Sequence, residues 1–232
     1  MTRYTCISST NTKAIELAKK KAAEWTVVVS DFQTRGRGRS GRKWESPKGG
    51  LWFSIVLRPN IPVNEVPLLQ LMFANALRRA IGEFSMIRPS VKWPNDIVVG
   101  SKKLAGILIE TSIARSILEY VVVGVGLNTN LASRQIPAEA TSILVATKQE
   151  TDHLIALDSI LTTFKEHYAH RGERSSIIND WWDHCAHRLR AVNIHTPSGL
   201  IHGTSTGITD DGGLVVKTEN GTLTISEGTL RF

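Results

Sequence analysis

Between two apolar runs, Val27–Val29 and Leu51–Leu57, the chain carries a long stretch, residues 31–50, that is almost entirely polar or glycine. A connection of that size inside a compact domain is usually functional or disordered. Its centre, Gln33-Thr34-Arg35-Gly36-Arg37-Gly38-Arg39-Ser40-Gly41-Arg42-Lys43-Trp44, alternates glycine with guanidinium groups. A solvated charge run gains nothing from alternating glycine, whereas a loop that wraps an anion needs backbone freedom and close approach. The spacing is neither that of a P-loop, which opens a helix with G-x-x-x-x-G-K-[ST], nor that of a dinucleotide fingerprint. What it offers is several arginines able to fork onto phosphate oxygens. Two readings stay open at this point: closure over a phosphorylated small molecule, and a basic loop binding nucleic acid. The glycines and like charges predict a loop that is mobile until a ligand orders it.

The loop concentrates a charge excess found in the whole chain, whose 232 residues hold 28 Lys+Arg against 21 Asp+Glu. A 41% hydrophobic fraction supplies a core and excludes wholesale disorder and fibrous repeats. The length suits one large domain, or one domain with a small module. No apolar run reaches the length of a membrane span, and the N-terminus lacks the basic head and apolar stretch of a signal peptide. A cytoplasmic location without a membrane partner is therefore expected. Cys6 and Cys185 are too few for a disulfide framework or a four-thiolate zinc site, and both are read as reduced.

Ile15, Ala18, Ala22 and Trp25 recur at helical spacing and predict a helix from about Thr10 to Trp25. A second helix is expected over Glu65–Phe84, burying Leu68, Leu69, Met72, Leu77 and Ile81. The following block predicts strands at Val91–Trp93, Ile97–Val99, Leu104–Glu110 and Leu118–Val125, then helices at Leu154–His170 and Ser175–Arg188. From Val192 the texture becomes short β segments separated by Pro197-Ser198-Gly199, Asp210-Asp211-Gly212-Gly213 and Glu219-Asn220-Gly221. Turn signals so closely spaced predict a small β-barrel or sandwich. The boundaries expected are 1–188 and 189–232.

Lys92-Trp93-Pro94-Asn95-Asp96 forms a polar corner, followed by Lys103-Leu104-Ala105-Gly106-Ile107-Leu108-Ile109-Glu110. A lysine entering a strand there stabilises charge that builds between a carboxylate and a phosphate, or else stands on an exposed hairpin tip. Asp96 is a candidate oxygen ligand for Mg2+.

Taken in order, Ser9-Thr10-Asn11, Gly36 through Trp44, Lys92 through Asp96, Lys103 through Glu110 and Gly124-Val125-Gly126-Leu127-Asn128 resemble the motifs of biotin protein ligases. The resemblance spans most of residues 5–130 and is weaker in the C-terminal module. It implies an α+β fold: a catalytic domain like that of class II aminoacyl-tRNA synthetases, a mixed sheet with helices, followed by a small SH3-like barrel. It further implies ATP-dependent activation of biotin to biotinyl-5′-AMP, then transfer to a specific lysine of a biotin carboxyl carrier protein or domain, that of acetyl-CoA carboxylase or a related carboxylase. Such chemistry needs no covalent enzyme nucleophile, in keeping with the absence of a G-x-S-x-G elbow.

By position, the resemblance places Ser9, Thr10, Asn11, Gln33, Gly36, Arg37, Lys103, Gly106 and Ile107 around biotin, the last two through backbone. Arg39, Arg42, Trp44, Asn95, Asn128 and Arg231 would meet ATP, with Lys103, Arg39 and Arg37 catalytic and Asp96 at Mg2+. Thr10 and Asn11 suit the ureido ring, and the same start also suits a helix N-cap. One branch of the family carries an N-terminal DNA-binding winged helix. This chain begins almost at Ser9-Thr10-Asn11, so a ligase with no nucleic-acid partner and no repressor role is expected. A homodimer is expected too, with Leu51–Leu57 as a candidate for pairing across a two-fold axis. A lipoate or octanoate ligase is the nearest rival. His167, His170, His184, Cys185 and His187 invite a metal reading, but they fall on segments read as amphipathic helices, where core or solvated faces are the commoner fate.

Overall fold

The computed structural model describes residues 1–232. In chain order the elements are β1 (Thr2–Tyr4), α1 (Thr10–Lys19), β2 (Thr26–Ser30), β3 (Leu51–Leu57), α2 (Val66–Ser85), β4 (Ser90–Lys92), β5 (Asp96–Val99), β6 (Lys102–Ala114) and β7 (Ile117–Leu127). There follow α3 (Ile143–Thr147), α4 (His153–Ala169), α5 (Arg174–Asp183), β8 (Ala191–Thr196), β9 (Gly199–Ile208), β10 (Leu214–Thr218), β11 (Gly221–Ile225) and β12 (Thr229–Arg231). Residues 1–63 with 102–158 form one compact unit, and residues 64–101 with 159–232 form another.

In the first unit the strands run in the order β1-β2-β3-β7-β6. β1 is parallel to β2 and every other pairing is antiparallel, so the sheet is mixed, as expected. All of β3 is buried, which is why it reads as an unbroken apolar run with Ser54 as its one polar residue. Because β2 and β7 hydrogen-bond to its two sides, β3 has no free edge; the two-fold pairing expected of Leu51–Leu57 is not available to it. Ala14 and Ala18 of α1 pack on Val28, Val56, Val122 and Tyr120.

The helix α1 stops at Lys19 rather than at Trp25. The Arg58 guanidinium donates to Ala18 O at 2.8 Å and Ala22 O at 3.1 Å, taking up carbonyls that the next turn would have used. Lys21 and Trp25 then adopt left-handed φ values of 59° and 64°, and Trp25 N donates to Val56 O at 2.8 Å, leading the chain into β2. The β6–β7 hairpin runs further than the apolar pattern indicates, because its far end is solvent-exposed. α3 escapes the periodicity altogether, since one turn carries little signal; Ser142 starts it, its side chain accepting Val145 N at 3.0 Å.

In the second unit, α2 buries the five apolar residues expected of it. Phe73 meets the rings of Phe164 and Tyr168 at centroid distances of 4.8 and 6.4 Å, and Asn75 Nδ2 donates to Ile177 O at 2.9 Å. α5 ends at Asp183, five residues short of the expected Arg188. There the backbone turns to pair with β4, Val91 N donating to His184 O and Ala186 N to Val91 O. The last strands form an antiparallel sheet in the order β11-β10-β9-β8-β12. Cys185 is a buried free thiol, its pKa pushed up to about 12 by burial, while Cys6 is free and exposed.

His187 joins these parts. Its Nε2 accepts the Trp93 amide at 3.1 Å, so the proton sits on Nδ1 and is donated to Ser205 Oγ at 3.0 Å. Burial holds the imidazole down to a pKa of about 4. The Trp93 indole donates to Gly212 O at 3.0 Å. These bonds make the C-terminal strands compact with β4 and α5, which is why the unit extends across residue 188. No helix is long and apolar enough to cross a membrane.

Candidate active site

Residues two apart on a strand share a face, and the face under α1 changes character row by row. Val56 lies opposite Val122; Ser54 opposite Gly124, with Leu108 beyond; Trp52 opposite Gly126, with Gly106 beyond. The sheet thus passes from an apolar row under the body of α1, through a polar row at its N-terminus, to a bare glycine floor. Glycine inside a strand weakens it and marks a place where something approaches closely. At Gly124 that neighbour is the Asn11 amide, which a Cβ would overlap.

A continuous buried hydrogen-bond chain crosses this face. Ser46 Oγ accepts Gln33 Nε2 at 2.8 Å and donates to Trp44 O at 3.1 Å. Gln33 Oε1 accepts the Thr10 amide at 2.7 Å and the Thr10 hydroxyl at 3.1 Å. The Ser54 hydroxyl stands 2.8 Å from Thr10 Oγ1 and 2.5 Å from Asn11 Oδ1, sharing one proton between them. Asn11 Nδ2 donates to Glu110 Oε2 at 2.8 Å, and Glu110 Oε1 ends the chain on Arg37 Nη2 at 2.7 Å. Ser9, Thr10 and Asn11 are all buried, and the chain supplies partners to the Thr10 and Asn11 side chains. The N-cap expected at this start is only half present. Ser9 occupies the cap position without a side-chain bond, and Gln33 takes the first helix amide instead.

The arginine loop folds as a hairpin. Trp44 N donates to Gly36 O at 2.9 Å, Gly38 N to Arg42 O at 2.8 Å, and the backbones of Arg37 and Lys43 lie opposite each other in an antiparallel bridge. Ser40 and Gly41, with φ of 53° and 72°, turn the tip. Gly36 is needed because a Cβ would overlap Trp44 O. The hairpin lays the Trp44 indole on the glycine floor, where a Cβ at Gly126 would fall 2.5 Å from Nε1. That Nε1 is buried with no hydrogen-bond acceptor. Lys103 Nζ lies 4.8 Å from the Trp44 ring centroid, and its backbone is pinned by Glu139 O and the Thr141 amide at 2.9 and 2.8 Å. Lys102, by contrast, is exposed.

Of the residues singled out from sequence, Ser9, Thr10, Asn11, Gln33, Gly36, Arg37, Trp44, Lys103 and Gly106 are thus assembled on this one face. Arg39 and Arg42 belong to the hairpin tip. The Ile107 side chain is fully buried on the opposite face by strand alternation, leaving only its backbone toward the floor. Asn128 is buried and spends an amide proton on Thr141 O at 3.0 Å. Asn95, Asp96 and Arg231 belong to the second unit, at the turn before β5, its first residue and the end of β12. Sequence reading passed over Ser46, Ser54 and the pairing of Glu110, and gave Gly124 no role beyond its motif. The signals were there for two of them: one hydroxyl in an otherwise apolar strand, and glycine alternating in β7. The assembled site offers fixed hydrogen-bond partners at one end and cations at the other, suited to orienting an acid and stabilising charge rather than to covalent attack.

Residues 4–128 match the model of the biotin/lipoate A/B protein ligase family, and residues 190–229 match the biotin protein ligase C-terminal domain. A bifunctional ligase/repressor of Bacillus spizizenii is 36% identical over 222 residues, covering 93% of this chain and 68% of that protein. A biotin–[acetyl-CoA-carboxylase] ligase of Paracoccus denitrificans is 29% identical over 219 residues, covering 90% of each. Among solved structures, the biotin protein ligase of Aquifex aeolicus in complex with biotin and ATP superposes with a TM-score of 0.86 at 30% identity, covering 99% of this chain and 97% of that one. On its two matching segments, its relatives and its fold, the chain belongs to the biotin/lipoate A/B protein ligase family, with the C-terminal domain of the biotin protein ligases.

Proposed function

We propose that this chain is a biotin protein ligase that activates biotin with ATP and biotinylates a lysine on the carrier protein or domain of acetyl-CoA carboxylase or a related carboxylase. A biotin carboxylate oxygen attacks the α-phosphorus, and the bond to pyrophosphate breaks, leaving biotinyl-5′-AMP. The acceptor amine then attacks the acyl carbon, AMP leaves, and the amine's proton is lost to solvent or a base. The observation that carries this reading is the meeting of Lys103 and Trp44 over a glycine floor, beside the buried Thr10–Asn11 chain that ends on Arg37. One end can hold a ureido ring by hydrogen bonds, the other can neutralise a carboxylate meeting a phosphate.

In this assignment Ser9, Thr10, Asn11 and Gln33 shape the ureido end, with Gly36, Gly106 and the Ile107 backbone along the floor. Lys103 bridges carboxylate and α-phosphate. Arg39 and Arg42 take the remaining phosphates, Trp44 covers the nucleotide, and Asn95, Asn128 and Arg231 serve its adenosine end. The structure holds no group of three or more His, Cys, Asp or Glu side chains fit to cage a metal. A single carboxylate, Asp96, instead fits Mg2+ that arrives on ATP phosphates, since that ion commonly keeps only one or two protein carboxylates. When bound, it would offset phosphate charge. We assign residues 1–188 to catalysis and 189–232 to an SH3-like domain, a division supported by the separate C-terminal match. A homodimer and a cytoplasmic location belong to the same reading.

Purified protein given biotin and MgATP should release pyrophosphate, and should label a carrier domain on its lysine. Neither product with biotin, but both with lipoate, would transfer the assignment to the rival acid. Salt-sensitive oligonucleotide binding with no activity would transfer it to nucleic acid.

A further inference from the structure

We propose that Glu110 is a positioning residue for the biotin site, holding Asn11 with one carboxylate oxygen and Arg37 with the other. This rests on the reading above, in which Asn11 and Arg37 both belong to the biotin site. Glu110 lies in β6 opposite Val122, on the face that α1 covers, and only 22% of its side chain is exposed. A carboxylate in such a row is costly unless both oxygens are paired, and both are, at 2.8 and 2.7 Å. Its backbone is held in an extended hairpin, so the two bonds have a fixed origin.

Two consequences follow from the chemistry of the partners. An ionised carboxylate only accepts, so it compels Asn11 to present Nδ2 to Glu110 and Oδ1 to Ser54; a flipped amide would set oxygen against oxygen. Arg37 is 47% exposed, on a hairpin with glycine on both sides, and without an anchor its long side chain would sample many rotamers. One terminal nitrogen on Glu110 sets the plane of the guanidinium, leaving the other edge of its fork to meet a substrate anion. Glu110 therefore orients two groups of the biotin site from one fixed point, and its effect falls on biotin rather than on ATP.

Pyrophosphate release by the full chain, measured while biotin and ATP are varied separately, tests this. Glu110→Gln should raise the biotin KM about tenfold while moving the ATP KM less than about twofold. In an Arg37→Ala background the same change should add less than about threefold, because its partner is gone. Glu110→Asp keeps the charge but is too short to span both partners, so it should raise the biotin KM about threefold; it also stands in should Glu110→Gln fail to fold. If both Glu110 variants fold and leave the biotin KM unchanged while Arg37→Ala and Asn11→Ala raise it, Glu110 has no positioning role. Effects of Glu110→Gln and Arg37→Ala that simply multiply would also overturn the proposal. If Arg37→Ala and Asn11→Ala leave the biotin KM unchanged as well, the site assignment falls first and this inference with it.

Discussion

The polar chain across β3 and the polar node around His187 are both buried, yet they end differently. At the node each bond returns to the protein: Trp93 N, Ser205 Oγ and Gly212 O are all partners within the same unit. Across β3 the bonds lead outward, from buried Gln33 and Asn11 through Glu110 to the half-exposed Arg37 on the loop. A closed polar cluster secures how segments pack. An open one, fixed at one end and charged at the other, holds binding groups in place before the substrate arrives. The two regions should therefore respond to different perturbations.

The largest separation should come from Lys103→Ala. Losing one cation aimed at developing charge should slow adenylate formation about 100- to 1000-fold. Because the Lys103 side chain is only half-buried, thermal melting should hardly move; a rate within a few-fold of the parent would remove Lys103 from the chemistry. The node should instead reveal itself through pH. His187 titrates at about 4 in the fold against an ordinary 6.5, so the unfolded chain binds the extra proton between these values. Stability is then fully present above about pH 6.5 and falls as pH drops toward 4, by at most about 3 kcal/mol. Denaturant titrations at pH 7 and 4.5 should show a steeper loss for the parent than for His187→Gln; equal slopes would mean that the imidazole is not held neutral.

Gly124→Ala joins the two kinds of effect. The added Cβ has no space beside the Asn11 amide, so it should cost about 2 kcal/mol in stability and weaken biotin binding together. A variant that melts normally and binds biotin normally would mean that Asn11 does not lie on β7 as described. The smallest effect expected is at the hairpin tip. Arg39→Ala should raise the ATP KM about tenfold while costing little stability, since the residue is not buried and its charge is aimed at the nucleotide. A change confined to biotin would reassign Arg39 to the other substrate.

Much of this molecule is readable along the chain. The apolar run Leu51–Leu57 is a strand to the residue, and the stripe of α2 is buried as its spacing requires. The arginine-glycine segment stands out by composition, Lys103 and Ser9-Thr10-Asn11 by their place in the family's motifs, and most of them meet on one face. The misses share a cause. α1 ends early because Arg58, distant in sequence, takes its last carbonyls, and α5 ends early because β4 pairs with the backbone beyond it. Neither competitor is visible in a window of helical periodicity.

Sequence alone therefore determined which residues carry the charge, where the central strand lies and where glycine permits close approach, because these are properties of residue type and local pattern. Only the tertiary structure decided that Ser54 stands across from Gly124, that Gln33 caps α1, and that Glu110 meets both Asn11, 99 residues away, and Arg37. Those pairings depend on strand register and on which face each alternating residue presents. A shift of one residue would reverse every one of them without altering the composition.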